Sequence, residues 1–522
     1  MKYFSTRIIG LPIILWFTLT GLLFAAPAQE QQYAVGVVYN DANHNQVLDP
    51  REKGIPDIRV SNGRDIVQTD KQGKYWIPIE EDMIIFVIKP TGWTTMFDSD
   101  NFPKFYYIYK PKGSPAMNFP ASEPTGPLPK SVDFSLYQQQ EPSGFKAIFF
   151  GDTQVTSQQT INYLAHDIIE ELIGTDAKLV MTLGDNVGDA LGLYPSLKPT
   201  VGLVGIPIYF AMGNHDTNYA ALNEKYTRET YTSYFGPAYY SFDYGKVHFL
   251  VLEDIGWKQR EGQPVDPDYY CGLGKDQMTF IKNDLALVPK DKLVVLSMHI
   301  PINEITEKAE LFRLLEQHPY TFSISGHEHT MEHRFLKQAD GWLGSEPHHH
   351  FIAGAACGSW WIGTPDEYGI PHSMMADGAP NGYAIVTFMG NKYAIEYKSA
   401  RKPISFQMHI YAPDEITLDQ VTATDVLANI FAGSEKSKVE IKFGKAGKWV
   451  PMEKAPLPDP YYNKQFEVTT QKPGWIPRAT NCPHMWHLRL PGEIKEGKHL
   501  IQVRTTDMFG QTYTGYRAIT IK

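Results

Sequence analysis

Residues 146–154 read KAIFFGDTQ. An apolar run, Ala147 to Phe150, stops at Gly151. Asp152 and Gln154 follow on what the glycine marks as a tight turn. The same figure recurs down the chain. KLVMTL leads to Gly184-Asp185-Asn186, IPIYFAM to Gly213-Asn214-His215-Asp216, KLVVLSM to His299, and TFSIS to Gly326-His327-Glu328-His329. Helical stretches such as QTINYLAHDIIEELI lie between them. Continuous apolar runs of this kind predict strands buried on both faces, as in a layered α/β fold. Ligands in open α/β sheets bind at the carboxyl ends of strands. The Asp, Asn and His residues at those ends are therefore the candidate site.

The pattern changes on either side. YAVGVVYN, DIRVSNG, DIVQTD and GKYWIPI are short runs split by Asn, Asp and Gly turns, which predicts a small β-domain. Within it, residues 111–130, PKGSPAMNFPASEPTGPLPK, read as an extended surface segment. From about residue 403, ISFQMHIYA, KVEIKFG, WHLRLP, KHLIQVRTTD and YRAITI alternate at strand period, which predicts a β-sandwich of immunoglobulin-like type. The expected organisation is a signal peptide at 1–28, an N-terminal β-domain at 29–138, an α/β domain at 139–402 and a C-terminal β-sandwich at 403–522. A chain of 522 residues is too long for one core.

The formal net charge is −10, with no basic excess to neutralise phosphates, so general nucleic-acid binding is not expected. Three cysteines, Cys271, Cys357 and Cys482, are too few for a disulfide-stapled fold and allow one pair at most. Lys2 and Arg7, the apolar stretch Ile8 to Phe24 and Ala26-x-Ala28 predict a cleaved secretory signal. The alternative is an uncleaved anchor. With cleavage, the protein is expected to be secreted or periplasmic, with no stable membrane anchor.

The ordered set GDTQ, GDNVGD, GNHD, MHIP and GHEH resembles the calcineurin-like metallophosphoesterases, whose motifs run D-x-H, G-D, G-N-H-D/E, H and G-H-x-H. The resemblance covers roughly residues 145 to 390. The flanks resemble a secreted bacterial branch in which two β-domains bracket the phosphoesterase core. The resemblance implies a four-layer α/β/β/α sandwich and a binuclear metal-dependent hydrolase of phosphodiesters or phosphomonoesters. Asp152, Asp185 and His329, with Gln154, would hold the first divalent ion. Asp185, Asn214, His299 and His327 would hold the second. Mn²⁺ is the first expectation, with Mg²⁺, Fe or Zn²⁺ as alternatives. A metal-bridging hydroxide would attack phosphorus, His215 would act as general acid, and Asp216 would orient it.

Gln154 stands where the family has His. It could bind through its carbonyl oxygen, hold a water or substrate oxygen through its NH₂ group, or merely fill the turn. The substrate is expected to be a phosphoester, with envelope phospholipids, phosphorylated glycans and extracellular nucleotides as candidates. The rival reading is a non-catalytic protein that keeps the fold and grips envelope polymers.

Other polar residues receive plainer readings. Asp189, Asp254 and His333 read as turn or surface residues. His348 to His350, in EPHHH, read as a polar loop. GAACGSWWIG (354–363) and PHSMMADGAPNGY (371–383) follow the last His motif. Trp360 and Trp361 are either a substrate wall or inter-domain packing, with His372 and Asp377 as possible substrate contacts. In DANHNQVLDPRE, Asp41, Asn43, Asn45, Val47, Asp49 and Glu52 occupy positions 1, 3, 5, 7, 9 and 12 of a calcium loop, but Gln46 replaces the turn Gly. A structural Ca²⁺ and a plain Asx-rich turn both fit.

Overall fold

The structure is a computed structural model that describes residues 31–260, 263–444, 447–470 and 477–522. The expected signal peptide lies outside them. Among the described residues, no helix is long and apolar enough to cross a membrane.

The middle of the chain builds two sheets. One runs Ile208–Tyr209, Leu179–Thr182, Gly144–Phe150, Gly382–Met389, Lys392–Ser399. Its first three strands are parallel, and the last two return antiparallel. The other runs Tyr240–Tyr244, Val247–Val251, Leu293–Ser297, Thr321–Ser325, His348–Ala353, Met331–Leu336, with four parallel strands in the centre. The sheets face each other through aromatic rings. Phe249 meets Phe388 at 5.6 Å between centroids, and Tyr209 stacks on Phe242 at 3.9 Å. The crossover helices pair up, Gln158–Leu164 with Tyr194–Gly202 and Gly274–Leu285 with Lys308–Leu315. Parallel strands need such crossovers, and their helices cover the sheet faces. All the motif turns then fall at one end of the paired sheets.

The two β-domains join this core differently. The N-terminal domain has two four-stranded sheets, and its apolar residues merge with the core in one cluster. Phe86 meets Phe280 at 5.7 Å, and Arg59 reaches into the core to Asp284 (2.9 Å) and Asp243 (3.1 Å). The C-terminal domain has a four-stranded and a five-stranded sheet around a cluster of its own, including Val426, Ile441, Trp486 and Val503. It meets the core through polar contacts, such as Asn429 with Asp377 and Tyr513 with Glu396, and through apolar ones, with Phe431 in the core cluster and Tyr462 against Met374 and Ala376. It also carries a helix, Pro460–Thr470, that its strand periodicity did not suggest.

Two readings need correction here. EPHHH is not a loop. His348–Ala353 is a fully buried strand, because serines on the neighbouring strand satisfy its imidazoles. Ser323 Oγ lies 2.7 Å from both His348 Nε2 and His350 Nδ1. His349 faces the opposite way and bonds the Tyr393 hydroxyl (2.7 Å) and His333 (2.8 Å). His333 is therefore a core residue and not a surface one. All three cysteines are free, so the permitted disulfide does not form.

Candidate metal centre

Five candidate ligand residues take positive φ: Asp152 (36°), Gln154 (36°), Asp185 (48°), His327 (73°) and His329 (48°). That region costs any residue but glycine, and strained positions of this kind cluster at functional sites. The neighbouring glycines make the convergence possible. A Cβ on Gly184, itself at φ 86°, would sit 2.6 Å from His299 Nδ1, and one on Gly326 would sit 2.4 Å from Asp152 Oδ2.

Asp185 is the hub. Its Oδ1 accepts the His215 backbone N–H at 2.8 Å and lies 3.3 Å from His299 Nε2. His299 Nε2 is also 3.0 Å from Asn214 Oδ1 and 3.1 Å from His327 Nδ1. The far nitrogen of His299 donates to the Leu183 carbonyl (2.8 Å), which leaves Nε2 turned to the cluster. Among the described residues, Asp185, His299 and His327 form the one group of three acidic, His or Cys side chains close enough to share an ion. Burial disfavours charge on both Asp185 and His299. Their mutual attraction outweighs it, holding Asp185 well below the usual carboxylate range and pushing His299 up to about 10. Burial and then His299 pull His327 down to about 3, so it stands neutral and fit to ligate.

The other half is looser. Asp152 is fully buried and accepts the His327 backbone N–H at 2.9 Å. His329 Nε2 lies 3.6 Å from Asp152 Oδ1, while its Nδ1 donates to the Gly358 carbonyl (2.6 Å). Burial, acting over the attraction of His329 and His299, pushes the Asp152 carboxyl up. Gln154 turns its NH₂ to Asp185 Oδ2 (3.3 Å), and its carbonyl accepts from the Cys357 thiol (3.8 Å). It thus presents a donor, not a ligand, to the shared carboxylate.

His215 lies beside the cluster, with Nε2 4.0 Å from Asp185 Oδ2. Its Nδ1 donates to Asp189 Oδ1 at 2.9 Å. Asp189, read from sequence as a turn residue, is therefore the partner that orients it. Gly188-Asp189, a second Gly-Asp pair four residues after the first, was the only sign. Asp216 does not orient His215. It is fully buried and accepts from Gly213 N (2.9 Å), Asn186 Nδ2 (2.9 Å) and Tyr194 OH (2.8 Å), pinning two motif turns together. Asp254 is likewise no surface turn residue. It is fully buried, and its Oδ2 accepts the Ile300 N–H at 2.7 Å, fixing the turn that carries His299.

The remaining candidates separate. The Trp360 ring lies on His329 at 4.4 Å, whereas Trp361 is buried and its Nε1 donates to the Thr153 carbonyl at 3.0 Å. Trp360 thus stands beside the site, and Trp361 supports the Asp152 turn. Asp377 is no substrate contact. It is fully buried and accepts from Met331 N (2.6 Å), and its Oδ2 is 3.0 Å from His484 Nε2 of the C-terminal domain. His372 is exposed and lines a different cavity, of about 600 Å³, beside Arg401 and Asp366.

The proposed calcium positions form an Asx-rich turn. Asp41 accepts from the Asn45 and Gln46 N–H groups (3.0 and 2.9 Å), Asp49 from the Asn43 and Asn45 side chains (2.8 and 2.9 Å), and Glu52 from the Ala42 N–H (2.8 Å). The Val47 side chain is exposed.

Three family models match the chain. They are described as the N terminal of calcineurin-like phosphoesterase (residues 42–123), calcineurin-like phosphoesterase (145–331) and the C terminal of calcineurin-like phosphoesterase (350–513). Together they span most of the chain, which belongs to the calcineurin-like phosphoesterases, with N- and C-terminal domains flanking the core. No curated protein matches it. Among solved structures, purple acid phosphatase PPD1 from yellow lupin (Lupinus luteus) seeds is similar at 12% identity, covering 67% of this chain and 69% of that one, with a TM-score of 0.36. CopC from Methylosinus trichosporium OB3b is similar at 14% identity, covering 22% of this chain and 94% of that one, with a TM-score of 0.14. Family membership suggests a metal-dependent hydrolase. The donor set fits that role, since two carboxylates, an amide oxygen and three imidazoles converge at the strand ends.

Proposed function

We propose that the protein hydrolyses phosphoesters with two divalent ions. Asp185, Asn214, His299 and His327 would hold one ion, and Asp152, Asp185 and His329 the other. Bound there, the ions would activate a water and neutralise the phosphoryl oxygens. Mn²⁺ suits a site of carboxylates, amide and imidazole.

The observation that carries the reading is the His215–Asp189 pair at the edge of the cluster. Asp189 fixes Nδ1 as a donor, so Nε2–H points towards the candidate ligands. Burial works against a protonated ring. The Asp189 hydrogen bond and the Asp185 charge more than offset it and push His215 up to about 9. A ring so held can deliver the Nε2 proton to the departing oxygen. A protein that only gripped a polymer would need no such acid, which disfavours the non-catalytic alternative.

The test is His215→Ala assayed with Mn²⁺. An alkyl leaving group needs the proton, so its kcat should fall by about 10²–10⁴-fold. A nitrophenol leaving group should suffer less, and metal content should stay near that of the parent. Unchanged turnover of the alkyl ester would remove His215 from the reaction.

A further inference from the structure

The N-terminal domain reaches the turns that carry His215 and Asp189. Its segment 111–130 folds into a loop closed at the base by Ser114 and Ser122. Ser114 N donates to the Ser122 carbonyl (2.8 Å), and Ser122 N donates to Ser114 Oγ (3.1 Å). Two half-buried apolar side chains, Met117 and Phe119, lie within this loop. The buried Asn218, three residues beyond His215, donates its side-chain N–H to Met117 Sδ at 3.7 Å. The Phe119 ring lies against Gly192, three residues beyond Asp189, where a Cβ would sit 3.9 Å from it. One loop thus rests on both of the turns whose side chains form the His215–Asp189 pair.

The same domain holds the helix that follows Asp189. Within Tyr194–Gly202, Lys198 Nζ donates to Asp98 Oδ2 (2.7 Å) and lies over the Phe102 ring, and the Gly202 carbonyl accepts from Asn101 Nδ2 (2.9 Å). At the first residue of the helix, Tyr194 OH donates to Asp216 Oδ1 (2.8 Å), in the turn that carries His215. The two turns also meet directly, where the Asp189 N–H donates to the His215 carbonyl (3.3 Å). Their side chains are not deeply buried: Asp189 is 60% exposed and His215 34%. An exposed charged pair gains little in water and costs side-chain entropy to hold in one geometry. Its orientation therefore depends on how firmly the two turns are fixed to each other, and a misplacement of about 1 Å can cost about 10²-fold in rate.

Resting on the phosphoesterase reading above, we propose that Met117 and Phe119 of the N-terminal domain are positioning residues for the acid. They brace the Asp189 and His215 turns from outside the core, so that Nε2 is aimed at the departing oxygen. The step they serve is the one in which water adds to phosphorus, the P–O bond to the leaving alcohol breaks, and that oxygen takes the His215 proton. The ligands on these turns have separate anchors. Asp185 Oδ1 accepts the His215 backbone N–H, and Asp216 pins Gly213 beside Asn214. Loosening the brace should therefore disturb proton delivery before it disturbs metal binding.

Met117→Ala and Phe119→Ala, singly and together, are assayed in the full chain with Mn²⁺ on two pairs of esters. One pair is 4-nitrophenyl phosphate with glycerol 2-phosphate, the other bis(4-nitrophenyl) phosphate with glycerophosphocholine, compared within the pair that the parent turns over. The double change should lower kcat on the alkyl ester about tenfold and on the nitrophenyl ester less than about twofold, because nitrophenol leaves without needing the proton. KM and bound Mn²⁺ should stay near the parent's, and Phe119→Leu should keep most of the alkyl activity. Should the double variant fold poorly, the single ones decide by the same ratio. Equal losses on both leaving groups, loss of bound Mn²⁺, or no loss at all overturns the proposal and leaves the phosphoesterase reading intact. A parent that hydrolyses no alkyl ester overturns the proposal, and one inert towards all four esters overturns both.

Discussion

The two halves of the candidate metal centre are built at the ends of buried strands, yet they differ in cohesion. Around His299, three groups lie within 3.3 Å of a single imidazole nitrogen, and Asp185 is held ionised. Around Asp152, the nearest imidazole nitrogen is 3.6 Å away, burial pushes the carboxyl up, and Gln154 turns its amide nitrogen inward. One substitution in the first motif accounts for much of the contrast. An imidazole at 154 could offer a lone pair to an ion, whereas this amide braces Asp185 and rests its carbonyl on Cys357. The shared turn geometry thus sets where ligands stand, and the donor at each position sets how firmly an ion is held.

The largest test of the contrast removes what the halves share. Asp185→Asn takes away the one carboxylate common to both. Metal content should drop for both ions, and activity should fall further than the about 10²–10⁴-fold loss on removing the acid. Two ions retained at full occupancy would show that Asp185 does not bridge.

A smaller effect is expected from Asp189→Ala, which leaves the ligands untouched. Losing a hydrogen bond to a charged partner costs about 1.5–3 kcal/mol, so kcat on an alkyl ester should fall by roughly 10- to 100-fold. The sign of the pH effect follows from the acid's need to be protonated. Activity declines as pH rises through the His215 pKa. Removing Asp189 lowers that pKa, so the alkaline limb of the kcat profile should move to lower pH. An unmoved limb would assign it to another group.

The frame of the candidate site was legible because it depends on local pattern. Apolar runs ending in Asp, Asn or His, most of them after a glycine, placed Asp152, Asp185, Asn214, His299, His327 and His329 beyond the ends of five strands, and the structure brings them together. What depends on distant partners was not legible. Nothing near Asp377 announces His484, 107 residues away, and nothing near His350 announces Ser323. Histidine triplets in a polar context look exposed until parallel pairing supplies their partners. Asp189 and Asp216 exchanged roles for a related reason. Both follow glycine turns, and only the path of the chain after each turn decides which carboxylate meets the His215 ring. Residues 111–130 carry no motif, and their seat on the Asp189 and His215 turns became visible only in three dimensions.

The unequal halves are most directly tested by titrating Mn²⁺ into the metal-stripped chain by calorimetry, beside Gln154→His. The parent should bind in two steps at least tenfold apart in affinity, and the His variant should tighten the weaker step and narrow the gap. Two equal steps in the parent, or a gap unmoved by the substitution, would contradict the account.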